Sequence, residues 1–90
     1  MLKGYKKERG YSLVPSGERK NIKKEIVEIG VVLQKRRKEL GYTQEKLAEM
    51  LRVSAVGIRH IERGVRSPSL PMLVRLTKKL RLKIELFPIK

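Results

Sequence analysis

Ninety residues predict one small domain with a thin core, because chains divide into domains only at several times this length. Lys and Arg number 23 against nine acidic residues, and a net charge of +14 argues for a polyanionic partner, nucleic acid or an anionic membrane surface. There is no cysteine, a single histidine (His60) and no aspartate, which excludes disulfides, thiolate or multi-histidine metal sites, cysteine nucleophiles and Ser-His-Asp triads.

In chain order, residues 1–17 read as a basic N-terminal arm. Gly4, Gly10, Pro15 and Gly17 break any regular pattern there, and the one strand-like piece is Tyr11-Ser12-Leu13-Val14. Residues 18–80 read as a helical domain. Ile22, Ile26, Ile29, Leu33 and Leu40 recur at three-, four- and seven-residue steps, one face of a first helix that Gly41 stops. Thr43 is a good N-cap for a second helix with Leu47, Ala48 and Leu51 inward. Arg52-Val53 leaves room for only a tight turn before Ser54 caps a third helix, which has Ile58 and Ile61 inward and ends at Gly64. Ser69 caps a fourth helix carrying Leu73, Leu76 and Leu80, with Pro71 in its first turn, where a missing N–H costs little. Residues 81–90 change period. Leu82, Ile84 and Leu86 alternate with Arg81, Lys83 and Glu85, the pattern of a half-buried strand. A lone strand leaves its N–H and C=O groups unpaired, so it needs a neighbour. The candidates are Tyr11 to Val14 of the same chain or the same strand of a second subunit, antiparallel about a two-fold axis.

Two short helices joined by a tight turn in a basic chain are the sequence form of a helix-turn-helix. The run Leu40-Gly41-Tyr42-Thr43-Gln44-Glu45-Lys46-Leu47-Ala48, then Val53-Ser54, Ile58, Ile61-Glu62-Arg63-Gly64 and Ser67-Pro68-Ser69-Leu70, resembles the Cro/C1 (XRE-type) repressor family over about residues 29–80. The fold this implies is all-α, a lambda-repressor-like bundle of four to five helices, with the C-terminal strand pairing across a homodimer. The partner it implies is operator double-stranded DNA.

Site residues follow from the same resemblance. Gln44 corresponds to a glutamine that binds a DNA phosphate at the start of the second helix, beside Thr43, where free N–H groups and the dipole favour anions. Ser54 to His60 corresponds to the recognition helix, with Ala55, Val56, Gly57 and His60 toward base edges and Arg59 reaching bases or phosphates. Arg63 and Arg66 fall where the family's loop follows the DNA backbone. Arg37 sits in an apolar row, where an unpaired charge is costly, and the family pairs such an arginine with a glutamate at the position of Glu62. Direct DNA contact by Arg37 is the alternative.

Several residues depart from the family pattern. Ala55 and Val56 stand where polar side chains often hydrogen-bond to bases, so they offer only apolar contact, most naturally to thymine methyls. Lys46 replaces a capping-box glutamate and offers a phosphate contact instead. Arg52 stands where a turn glycine is common, which puts strain or a different turn there. Gly57 reads equally as a close approach to DNA or as simple tolerance.

A Cro/C1 domain followed at once by a dimerising strand, through Leu82, Ile84 and Leu86, resembles the HipB-type antitoxins. That resemblance implies autorepression and binding of a HipA-type kinase toxin. Open alternatives are a stand-alone repressor and a protein whose main role is to inhibit a toxin enzyme. The arm is open between a phosphate-tracking tail, a toxin-contacting segment and disorder. No phosphate loop, acid/base pair or metal cluster is present, so neither an enzyme nor a cofactor is expected. No apolar run reaches secretory or bilayer-spanning length, and the basic residues surround the helices instead of opposing one apolar face. The expectation is a cytoplasmic protein with no membrane partner.

Overall fold

The computed structural model describes residues 22–89, which form helices α1 (Lys23–Glu39), α2 (Gln44–Leu51), α3 (Ala55–Glu62) and α4 (Leu70–Lys79). The whole arm, residues 1–17, with its Tyr11–Val14 piece, lies outside the described residues. Three helices start as the sequence predicts: Thr43, Ser54 and Ser69 each accept the N–H three residues on, at 2.9, 3.0 and 3.2 Å. The missing capping-box glutamate therefore does not cost α2 its Thr43 cap.

All four helices end alike. After α1 the N–H groups of Gly41 and Tyr42 return to the carbonyls of Lys38 and Arg37, and the same pair of bonds recurs after α2, α3 and α4. This closure requires a left-handed residue just past the helix. Gly41 and Gly64 supply it without penalty, at φ 80 and 75. Arg52 and Arg81 supply it at φ 60 and 57, where a Cβ is disfavoured. Two further arginines brace those regions: Arg75 Nη2 donates to the Leu51 carbonyl, and Arg36 Nε donates to the Leu80 carbonyl at 2.9 Å.

The core is Leu33, Leu47, Ala48, Leu51, Ile58, Ile61, Leu76 and Leu80, with α2 and α3 packed on each other and α1 lying against α3. The inward face of α1 differs from the isoleucine row the sequence suggests. Gly30, Leu33 and Arg37 are buried, whereas Ile22 and Ile29 are 37% and 39% exposed. The cause is Gly30: a Cβ there would lie 2.5 Å from the Ile61 carbonyl oxygen and 2.6 Å from that of Glu62. Bare backbone fits against the end of α3, and Ile29 is turned aside.

The C-terminal strand expected at residues 81–90 is not present among the described residues. Arg81 turns left-handed and the Leu82 N–H closes α4 by donating to the Thr77 carbonyl at 2.8 Å. Leu82 then packs half-buried on the chain's own core, and residues 83–89 follow without regular structure. A ladder needs a second strand, and the described residues contain none.

Candidate nucleic-acid interface

The helix-turn-helix is α2, the Arg52-Val53 turn and α3. Leu47, Ala48 and Leu51 from α2 meet Ile58 and Ile61 from α3 in the core, which fixes the opposite side of α3 outward. That side carries Val56, Arg59, His60 and Arg63, spaced i, i+3, i+4 and i+7, so they form one stripe. Val56 is 49% exposed, Arg63 is exposed, and Arg59 and His60 are half-buried at the stripe's edges. Ala55 is different: it is half-buried against the core, so Val56 leads the stripe.

The neighbouring residues complete a basic frame. Thr43 and Lys46 are exposed on the first turn of α2, and Lys46 reaches Glu49 only at 3.7 Å, both side chains in solvent. Gly57 is half-buried, and an added Cβ would come within 3.3 Å of the Ser54 hydroxyl, a side chain that can rotate. Beside α3 lies a groove of about 490 Å³ bounded by Ser54, Gly57, Arg66, Ser67, Ser69 and Met72. The capped N-termini of α3 and α4 both open onto it. The start of α3 has a positive dipole end and N–H groups at Ala55 and Val56 that its Ser54 cap does not use. The start of α4 offers less, because Pro71 has no N–H and Ser69 takes that of Met72. With Arg66 adding a full charge, the groove suits a phosphate.

Behind this surface, Arg37 and Glu62 pair at 2.6 Å and 3.1 Å, both nearly without solvent. Arg37 Nη1 also donates to the Tyr42 carbonyl at 2.7 Å, so the guanidinium ties α1, the α1–α2 turn and α3 together. No buried side-chain nitrogen or oxygen lacks a hydrogen-bond partner among the described residues. Gln44 joins the same cluster, its Nε2 donating to Glu62 Oε1 at 3.0 Å. A carboxamide has two N–H donors, which leaves one for a phosphate at the start of α2. The Gln44–Glu62 bond and the Arg36 and Arg75 braces had no sequence signal, because each depends on where a carbonyl or carboxylate lands in three dimensions.

A short capped helix with an outward basic stripe, buttressed by a second across a tight turn, defines a DNA-reading module of the helix-turn-helix class. A family model described as Helix-turn-helix matches residues 33–87, and the chain belongs to this Cro/C1-type (XRE) family. It is accordingly a DNA-binding transcription regulator. No curated protein matches the chain. No helix among the described residues is long and apolar enough to cross a membrane.

Proposed function

We propose that a homodimer of this chain represses transcription by placing α3 of each copy in successive major grooves of an operator and so excluding polymerase. The carrying observation is the stripe of Val56, Arg59, His60 and Arg63 beside the N-terminus of α3 and Arg66. Val56 contacts thymine methyls, Arg59 reads a base or an adjacent phosphate, and Thr43, Gln44, Lys46, Arg63 and Arg66 hold the backbone. Occupancy alone is the mechanism, so no catalytic group or cofactor is needed.

Dimerisation through the tail supports two half-sites one helical turn apart. Ile84 is 42% and Leu86 92% exposed, and Phe87 and Ile89 extend this apolar surface. An antiparallel pairing centred on Ile84 sets Lys83 opposite the partner's Glu85, a self-complementary pattern. Leu82, packed inward, contributes little to it.

The test is a gel shift with a duplex selected by the protein from a random library, against a scrambled duplex. Preference for the selected duplex is expected, with log K falling by about 0.9 per phosphate contact for each unit of log salt. Arg59→Ala should weaken binding and, if Arg59 reads a base, relax one position by about 1–3 kcal/mol. Equal affinity for both duplexes defeats the reading. Ile84→Pro should yield a monomer in sedimentation equilibrium, and an unchanged dimer moves the interface elsewhere.

The antitoxin role rests on the layout of a Cro/C1 domain followed directly by this tail. Co-purification of a HipA-type kinase from the native host supports it; recovery of DNA alone removes the toxin and leaves the repressor.

A further inference from the structure

A second groove, of about 470 Å³, lies away from the outward stripe of α3, between α1, α4 and the tail. Its α1 wall is Glu25, Glu28, Ile29 and Val32, and its tail wall is Lys83, Ile84, Glu85 and Leu86. The apolar side chains are poorly covered: Ile29 is 39% and Val32 53% exposed. Glu25 and Glu28 form no ion pair among the described residues, and Glu85 meets only Lys83. Three of the seven glutamates in residues 22–89 thus gather on one groove in a chain of +14.

We propose that the groove is the seat of the chain's own segment Arg9 to Val14. The chemistry matches on both counts. In an extended segment Arg9, Tyr11 and Leu13 fall on one side, presenting two apolar side chains and a cation to an apolar floor with a carboxylate rim. The tether also matches. Residues 15–21 span up to about 25 Å when extended, and Val32 lies about 14 Å along α1 from its first turn. The tether is therefore long enough for the segment to reach the groove, where two unpaired carboxylates on α1, among the described residues, face a cation-rich arm.

The absence of cysteine makes the test direct, because any disulfide comes from introduced thiols. The full-length variant Leu13→Cys/Val32→Cys is allowed to oxidise at low concentration, with Leu13→Cys/Val56→Cys as control. Products are separated without reductant and weighed by mass spectrometry, with circular dichroism to check helicity. Seating predicts an intramolecular disulfide at least about tenfold faster than the control, because a seated segment exceeds the effective concentration of a loose tether. Adding Glu25→Lys and Glu28→Lys should slow it toward the control rate. Equal rates in the two pairs overturn the proposal. Disulfides found only between two chains assign the groove to a second copy and overturn it as well. Tyr11→Cys/Leu86→Cys, at a site of high exposure, repeats the measurement if the first pair fails to fold.

Discussion

The two sides of α1 are built to different standards. Toward α3, Gly30 brings backbone against backbone, and Arg37, Glu62, Gln44 and the Tyr42 carbonyl form a closed polar cluster. Toward the tail, Ile29 and Val32 stand partly in solvent beside Glu25 and Glu28, which form no ion pair among the described residues. The first side has no buried side-chain nitrogen or oxygen without a partner among the described residues, and no space for a methyl group at Gly30. The second has both apolar area and charge to offer. The difference teaches that exposed isoleucines on a helix of this size mark a surface still to be covered, while a buried arginine marks one already complete.

The sharpest way to break that comparison is to open the finished side. Arg37→Ala strands the Glu62 carboxylate in the core, and unfolding in urea should show a loss of about 3–5 kcal/mol. Replacing both partners at once, Arg37→Met with Glu62→Leu, should recover most of that loss, since the cost lies in the orphaned charge. A double variant as unstable as the single would mean the pair supplies net stability. Gly30→Ala should cost about 1–3 kcal/mol by forcing α1 off the end of α3, read as a lower urea midpoint at unchanged slope. Ser54→Ala removes the cap of α3 and should cost about 1 kcal/mol, with a matching loss of operator affinity if the first turn is part of the interface. The smallest effect has the opposite sign: Arg52→Gly relieves a left-handed side chain and should stabilise by about 0.5–1 kcal/mol. If DNA binding weakens while stability rises, Arg52 also serves the interface.

Much of this was legible in the residues. Thr43, Ser54 and Ser69 announce helix starts because a side-chain oxygen at that position satisfies an otherwise unpaired N–H, and Gly41 and Gly64 announce ends for the conformational reason already given. The apolar rows of α2 and α3 gave their inward faces correctly, which fixes the outward stripe with Val56 and Arg63. Three features escaped. The phase of α1 is set by Gly30, and periodicity counts apolar side chains, so a position where the absence of a side chain makes the contact is invisible to it. Arg81 takes a glycine's conformation, which its identity conceals. The tail alternates like a strand, but alternation describes which faces could be buried and not whether a neighbouring strand is at hand.

The braces formed by Arg36, Arg37 and Arg75 carry a consequence for how the protein responds to salt. Arg37 is neutralised by the Glu62 carboxylate, and Arg36 and Arg75 are anchored to carbonyls of their own chain before DNA arrives. Counterions leave DNA only for charges that reach its phosphates. These three charges will therefore add little to the thermodynamic valence of binding, which will stay below the formal +14.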